Sequence, residues 1–186
     1  MPEVRTRESR LTEDEILEVA LRMVETDGTE SLSMRRLAQE LSVTPMAIYR
    51  YVGNKDDLLQ RLARRVLGGV KRDHHERWQD MILANGLATW QVLSPYPGLA
   101  SYLLNRPLTP DARQQIDKHV RALIDAGFDR VTAEMAWEAY HTYVYGLVAL
   151  ESRFRGGRRS AEKRIRQVQF GLAVWVSGLE AQLASG

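Results

Sequence analysis

Two short helical patterns joined by only two residues constrain the fold of this chain more than any other feature. They lie in residues 33–55, SMRRLAQELSVTPMAIYRYVGNK. Ser33 is a good N-cap, and the helix that follows it, over 34–41, has one apolar face. Ser42 and Val43 are too few for a relaxed loop, so the chain must turn sharply before the next helix begins. The spacing is that of a helix-turn-helix, which places its second helix on the surface.

The second helix has two contrasting sides. Thr44 caps it and Pro45 takes its first position, where the missing N–H costs nothing. On a helical wheel Ile48 and Val52 fall on one side, which faces the core. The opposite side carries Met46, Ala47 and Arg50, flanked by Tyr49 and Tyr51. An arginine can fork onto a guanine edge, small apolar groups can touch a thymine methyl, and tyrosine hydroxyls can reach phosphates, so this side suits a DNA major groove.

Lys55 adds an independent indication. Asn54 can cap the following helix with Asp57 three residues later, which puts Lys55 in the first turn, where a cation opposes the helix dipole. A bound phosphate would remove that conflict. A solvated surface lysine is the other interpretation, and the neighbouring recognition helix favours phosphate.

From residue 12 to about residue 58 the chain resembles the DNA-binding domain of the TetR family of bacterial transcriptional regulators. The matching stretches are ILEVALRMVETDG and LSMRRLAQELSVTPMAIYRYVGNKDDLL. The resemblance implies base contacts from Arg35, Thr44, Pro45, Met46, Ala47 and Arg50. It implies phosphate contacts from Tyr49, Tyr51 and Lys55. Since the family varies most at the base-contact positions, the operator sequence does not carry over.

Composition and charge narrow the class of protein without identifying it. Among the 186 residues 44% are hydrophobic, which is enough for a core, and none is cysteine, which excludes disulfides and thiolate metal sites. We expect a cytoplasmic protein, because no signal peptide and no membrane-spanning apolar run is visible. The net charge of +2 is mild for a nucleic-acid binder, so the helix-turn-helix motif carries the argument rather than the charge.

The whole pattern predicts an all-α protein of about nine helices, since no strand alternation is present. We expect a three-helix helix-turn-helix domain over residues 1–55, in which 1–10 form a mobile arm. The remaining residues, 56–186, are expected to form a helical body for ligand binding and dimerisation. The stretch 140–151, YHTYVYGLVALE, resembles the dimer-helix region of tetracycline-repressor-like members of the family.

The body is rich in aromatic side chains that could line a cavity for an apolar or aromatic ligand. Any single one of them could equally be core. The predicted pocket residues are Trp78, Met81, Trp90, Tyr102, Trp137, Tyr140 and His141.

The last helix, from about residue 161 to 183, carries two apolar stripes, more than one small core needs. We therefore expect it to form a twofold interface together with the helix at about 130–154. The predicted interface residues are Val168, Gly171, Leu172, Val174, Trp175, Gly178 and Leu179.

The leading hypothesis is a dimeric repressor that a small-molecule effector releases from double-stranded operator DNA. An enzyme is disfavoured, because no phosphate-binding glycine loop, HExxH motif or nucleophile elbow is present. No cofactor and no metal is expected: adjacent His74 and His75 point about 100° apart on a helix. A constitutive DNA-binding regulator or architectural protein, without a ligand, is the alternative.

Overall fold

The structure is a computed structural model that describes residues 11–70, 77–107, 109–151 and 160–185. The predicted arm at 1–10, the pair His74 and His75, and the first half, 153–159, of the basic stretch RFRGGRRSAEKRIR lie outside the described residues. Within them every regular element is a helix, as the sequence predicts. The nine helices are α1 Glu13–Asp27, α2 Met34–Glu40, α3 Pro45–Tyr49, α4 Lys55–Gly68, α5 Trp78–Leu93, α6 Pro97–Leu104, α7 Pro110–Asp125, α8 Arg130–Glu151 and α9 Ala161–Ser185.

Helices α1 to α3 begin and end where local signals place them. The Thr12 and Ser33 hydroxyls accept the backbone N–H groups of the residues three positions later, each at 3.2 Å. Gly28, at φ +82°, ends α1 in a backbone conformation that favours glycine. A pair of hydrophobic residues flanks the start of each of α2 and α3, and both pairs are buried: Leu32 with Leu37, and Val43 with Ile48.

Helix α4 is fastened to α1 by two ion pairs. Arg61 pairs with Glu13 at 2.8 Å and Arg65 pairs with Asp14 at 2.6 Å. We therefore refer to α1–α4 as the N-terminal unit and to α5–α9 as the body. The domain boundary predicted between residues 55 and 56 falls inside the first turn of α4 and stays a prediction.

The body is built around α8, against which α5, α6, α7 and α9 all pack. Small and branched side chains let these helices approach closely: Leu99 and Ala100 of α6, Leu123 of α7 and Ala133 of α8 are fully buried. Gly86 of α5 lies against Leu172 of α9, so closely that a Cβ there would overlap the leucine side chain. No helix of the described residues is long and apolar enough to cross a membrane.

Candidate functional site

A strained two-residue turn sets the position of the recognition helix α3. Ser42 has φ +55°, the left-handed region that a side chain disfavours. The Val43 N–H donates to the Ala38 carbonyl at 3.0 Å and holds the turn closed. The sharp turn predicted from the shortness of this connection is thus present, and it brings α3 directly against α2.

The outer side of α3 and the residues around it are open to solvent. Met46 is 71% exposed, and Tyr49 and Arg50 are also exposed. Arg35, on α2, is exposed as well, whereas its neighbour Arg36 forms an ion pair with Asp27. Arginine, methionine and tyrosine side chains that are free to reorient are suited to base edges, thymine methyls and phosphates.

Ala47 does not lie on this outer side. It is only 2% exposed and packs beside Ile48, so the prediction that it faces outward is wrong. The reason is that α3 spans only Pro45–Tyr49 and its inner surface, close to α2, covers two consecutive positions. The base contact that the resemblance implies for Ala47 is therefore not supported by its position.

The start of α3 differs from the prediction in one detail. Thr44 takes the N-cap position with an extended backbone, and Pro45 follows at the first helical position. The Thr44 side chain, however, makes no capping hydrogen bond to the helix. Both residues are exposed at the beginning of the recognition helix, where side chains meet base edges in helix-turn-helix proteins.

Tyr51 is directed inward to the beginning of α1. Its hydroxyl donates to the Leu11 carbonyl at 2.5 Å. A phenol has a single hydrogen to donate, and a phosphate oxygen needs that hydrogen. The predicted phosphate contact of Tyr51 would therefore require this bond to break, whereas Tyr49 is free of that constraint because it is exposed.

Lys55 begins α4 in the setting that the sequence predicts. Asn54 Oδ1 accepts the Asp57 N–H at 2.9 Å, and Asp57 Oδ2 accepts the Gly53 N–H at 2.8 Å. A hydrogen bond from Arg61 lowers the pKa of Asp57, with a smaller contribution from the Gly53 N–H, so this carboxylate stays ionised. The result is a rigid helix N-terminus, with its free N–H groups and the Lys55 ammonium available to a phosphate.

The body contains a cluster of aromatic rings from α7, α8 and α9. Trp137 is stacked on His119, with ring centroids 4.5 Å apart, and lies 5.0 Å from Tyr140. Tyr140 in turn contacts Trp175 at 5.6 Å, and His141 contacts Tyr145 at 3.9 Å. We call these rings the aromatic cluster: His119, Trp137, Tyr140, His141, Tyr145 and Trp175. Burial lowers the pKa of His141 to about 4, so its ring is neutral at physiological pH.

Buried polar atoms at the edge of the aromatic cluster lack partners. Asn85 is 6% exposed, and its amide nitrogen donates to His119 Nε2 at 3.0 Å. His119 Nδ1 donates to the Gln115 carbonyl at 2.8 Å. This leaves Asn85 Oδ1 and Trp137 Nε1 buried, with no hydrogen-bond partner among the described residues. Such atoms are uncommon in folded proteins, and each costs about 1–3 kcal/mol.

The predicted pocket residues are only partly brought together. Trp137, Tyr140 and His141 share the aromatic cluster, but Trp78 instead packs edge-on against Phe128 at 5.5 Å. Trp90 is buried, and Met81 is half-buried against the core. Tyr102 points at α4, where it lines an open groove of about 960 Å³ between the N-terminal unit and the body. That groove includes no other predicted pocket residue.

The apolar stripes of α9 face opposite directions. Val168, Leu172 and Leu179 are buried within the protomer, Leu172 to 1% exposed, so they have no surface left for a partner. Their prediction as interface residues is wrong, because one stripe is needed to cover α5 and α8.

The other predicted interface residues are at least partly accessible. Trp175 is half-buried in the aromatic cluster, and Gly171 packs against Tyr143. Val174 and Gly178 remain exposed, as does Phe170 at 73%.

Sequence reasoning missed three of these residues. Phe170 stands one helical turn before Val174, so the stripe of Val174 and Gly178 could have been extended to it. Asn85 and His119 lie on different helices, 34 positions apart, and nothing local indicates their bond. The described residues contain no group of three histidine, cysteine, aspartate or glutamate side chains able to hold an ion.

Comparison with known proteins follows the same division of the chain. Residues 16–62 match the family described as bacterial regulatory proteins, tetR family, and residues 72–173 match the tetracyclin repressor-like C-terminal domain. An HTH-type transcriptional regulator of Saccharopolyspora erythraea is 35% identical over 158 residues, which cover 81% of this chain and 67% of that protein.

Two solved structures extend the similarity to the whole fold. One is a TetR variant from Acinetobacter baumannii AYE in complex with minocycline, with a TM-score of 0.82, 26% identity, and coverage of 94% of this chain and 99% of that one. The other is BioQ, a protein of Mycobacterium smegmatis, solved with its double-stranded DNA operator. The TM-score is 0.75 and the sequence identity is 26%, and the match covers 92% of this chain and 99% of that one.

Proposed function

This chain belongs to the TetR family of bacterial regulatory proteins, and we propose that it is a homodimeric repressor which a small apolar or aromatic ligand releases from operator DNA. The family consists of DNA-binding transcriptional regulators, and the proposal concerns how this member is controlled. Its proposed partner is double-stranded operator DNA, which places its action in the bacterial cytoplasm.

The DNA contact is carried by the exposed outer side of α3. Met46 and Arg50 face solvent there, and Arg35 joins them from α2. These side chains are assigned to base edges, together with Thr44 and Pro45 at the beginning of the helix. Tyr49 and Lys55 are assigned to phosphates on either side of the groove. A single α3 reads one half-site, so a second copy is needed for a specific operator.

The second copy is supplied by a twofold interface on α8 and α9. Large apolar side chains are exposed on both helices, where no other part of the described protomer covers them. They are Val131, Met135, Leu150, Phe170 and Val174. Gly178 continues the α9 stripe and leaves open space in front of it, which allows a second helix to approach closely. A patch that faces its own copy across a twofold axis gives a closed dimer.

One observation supports a ligand site in the body: two buried hydrogen-bonding atoms at the edge of the aromatic cluster lack partners among the described residues. Asn85 Oδ1 can accept a hydrogen bond and Trp137 Nε1 can donate one. The groups around them, His119, Tyr140 and His141, contribute flat apolar faces, and His141 is neutral. The cluster therefore suits an uncharged aromatic molecule with a hydroxyl donor and a carbonyl acceptor.

Release follows if the ligand binds better to the conformation that does not bind the operator. A 100-fold loss of operator affinity requires about 2.7 kcal/mol of coupling, within the usual range. The path between the sites is short, since the aromatic cluster lies on α8, α8 packs on α6, and α6 contacts α4. The same coupling requires the operator to weaken ligand binding by an equal factor.

The test begins with mapping of the DNA fragments that the protein binds, followed by measurement of ligand affinity with and without the best fragment. An uncharged hydroxyanthraquinone is a suitable first probe because it combines aromatic, hydroxyl and carbonyl groups, and tryptophan fluorescence reports on Trp137 and Trp175. We expect weaker probe binding in the presence of operator, and no quenching in an Asn85→Leu, Trp137→Phe variant. Equal probe affinity with and without operator would favour the constitutive regulator instead.

A further inference from the structure

Helix α6 touches the N-terminal unit at both of its ends. At its beginning, Gly98 lies directly on the Thr29 side chain, so closely that a Cβ at Gly98 would overlap it. Thr29 belongs to the connection between α1 and α2. Only glycine permits this approach, and any larger residue would push α6 away from the unit. The beginning of α6 is thus held in a close van der Waals contact with the N-terminal unit.

At its other end, α6 is bonded to a single carboxylate of the N-terminal unit. The Tyr102 hydroxyl lies 3.0 Å from Asp56 Oδ1, to which it donates, and 3.2 Å from the Asp56 carbonyl. The Arg106 guanidinium pairs with Asp56 Oδ2 and lies 5.3 Å above the Tyr102 ring. Gln60, also on α4, donates to Oδ2 at 3.1 Å. We call Asp56, Tyr102 and Arg106 the α6 clamp.

The opposite face of α6 is buried in the body. Leu99 and Ala100 are fully buried, and α8 is the helix against which α6 packs most extensively. Helix α8 in turn carries Val131 and Met135 of the proposed dimer interface. Helix α6 therefore joins the dimer interface to the N-terminal unit, through a close contact at one end and a bonded contact at the other.

Two contacts at the ends of one helix fix an orientation that either contact alone would leave free. The N-terminal unit also packs on the body through α4 and α5, and with that packing and the Gly98–Thr29 contact alone it could still tilt about the beginning of α6. The α6 clamp prevents this rotation, because Tyr102 and Arg106 engage different oxygens of one carboxylate on the rigid first turn of α4. That turn also carries Lys55, so a rotation would move the proposed phosphate contact and α3 together.

We propose that the α6 clamp determines which half-site spacing the dimer accepts, by fixing the orientation of each N-terminal unit relative to the dimer axis. The proposal rests on the proposed function, since it assumes a dimer that reads two half-sites. It assigns to Asp56, Tyr102 and Arg106 a positioning role without contact to DNA. Loss of the clamp should broaden the range of accepted spacings more than it weakens binding at the native spacing.

The test compares operator fragments that differ by one base pair between their half-sites, which shifts the half-sites by about 3.4 Å and turns one relative to the other by about 35°. Wild-type protein should lose about 100-fold in affinity on insertion or deletion, because simultaneous binding of both half-sites is lost. Arg106→Met and Tyr102→Phe should lose less than about 10-fold, and their affinity at the native spacing should fall by no more than about threefold. Arg106→Lys keeps the charge and should keep most of the wild-type preference.

The matched control is Arg22→Met, which removes a guanidinium from the exposed Glu18–Arg22 pair on α1, away from α6. It should show the wild-type spacing profile. An equal loss at every spacing in Arg106→Met would make Arg106 a phosphate contact and overturn the proposal, and so would a profile identical to that of the wild type. Wild-type protein that selects no DNA fragment at all would contradict the proposed function itself.

A second measurement records orientation directly. The chain contains no cysteine, so Gln39→Cys on the exposed side of α2 introduces a single labelling position for a spin label. The distance between the two labels of a dimer should have a narrow distribution in an otherwise wild-type background. It should be clearly broader with Arg106→Met or Tyr102→Phe, in protein whose circular dichroism and melting temperature show it to be folded. Unchanged widths would overturn the proposal.

Discussion

The N-terminal unit and the body both cap their helices with side chains, but they differ in their buried polar atoms. In the unit, Thr12, Ser33 and Asn54 each accept a backbone N–H three residues later and so complete the start of a helix. In the body, Asn85 Oδ1 and Trp137 Nε1 are buried without partners among the described residues. The unit is internally complete and presents its function on its surface, whereas the body keeps hydrogen-bonding capacity in its interior. The difference supports the proposal that the body binds a small molecule.

The largest expected effect comes from disrupting the proposed dimer interface between the bodies of two protomers. Phe170→Asp combined with Val174→Asp places two carboxylates in the apolar patch of α9, where a partner helix would desolvate them. We expect monomers by analytical ultracentrifugation and a loss of operator affinity of about 1000-fold, equivalent to about 4 kcal/mol. Gln114→Asp, on the exposed side of α7, is the control and should remain dimeric. A dimeric double variant would place the interface elsewhere.

The second largest effect is a loss of folding stability at low pH that arises in the body. Burial lowers the pKa of His141 to about 4, while the unfolded chain keeps a value near 6.5. Between these values the unfolded state binds a proton that the native state does not, so stability is full above pH 6.5 and is lost as the pH falls toward 4. From pH 7 to pH 5 the loss should be about 2 kcal/mol.

The measurement is urea unfolding at both pH values in wild type and in His141→Phe, which keeps a ring against Tyr145. The other histidines contribute equally to both proteins, so the difference between the two pH dependences isolates His141. The variant should lose about 2 kcal/mol less than the wild type on acidification. Identical pH dependences would show that His141 is protonated as easily in the native state as in the unfolded chain.

Within the N-terminal unit, base and phosphate contacts should separate by their salt dependence. Arg50→Ala should cost about 1–3 kcal/mol and relax the preference at one base pair. Lys55→Ala should weaken all sequences alike and lower the slope of log affinity against log salt by about one. Binding measured at several salt concentrations, on the operator and on single-base variants of it, distinguishes the two. A change in base preference without a change in salt slope for Lys55→Ala would contradict its assignment.

The smallest effect sharpens the contrast between the two regions. Asn54→Ala removes a completed cap from the unit and should destabilise the protein by about 1 kcal/mol. Asn85→Leu removes a bond to His119 but also removes an unpaired buried acceptor, so the two contributions should offset to within about 0.5 kcal/mol. Denaturant titration of both variants and the wild type measures these differences in the free energy of unfolding. A loss above 2 kcal/mol for Asn85→Leu would mean that this amide is structural rather than kept for a ligand.

Sequence alone predicts the N-terminal unit well because its signals are local. Caps, a proline at a first helical position and a connection of two residues each act within four or five positions of the chain. The all-α class and the number of helices follow from the same kind of pattern. Even here the helical wheel placed Ala47 on the outer side of α3, whereas the residue is buried. The number of α3 positions that are buried depends on how closely α2 approaches, and a wheel does not show this.

The body is less predictable because its important contacts are distant in sequence. An apolar stripe on α9 can cover its own protomer or a partner, and the sequence does not say which. Leu172 turned out to face inward, while Phe170, two residues earlier, faces outward. The bond between Asn85 and His119 and the clamp between Asp56 and Arg106 join residues 34 and 50 positions apart. Such pairs exist only once the helices are packed.

The shortness of the recognition helix has a consequence for how this regulator can evolve. Of the residues in α3, Ala47 and Ile48 are buried and hold it in place, while Met46 and Tyr49 are exposed on its outer side. Mutations at the outer positions can therefore accumulate without a penalty in folding, and operators can drift with them. At position 47 any enlargement would tilt the helix. A duplicated gene of this kind can thus acquire a new operator through a few surface changes, while the packed body is inherited intact.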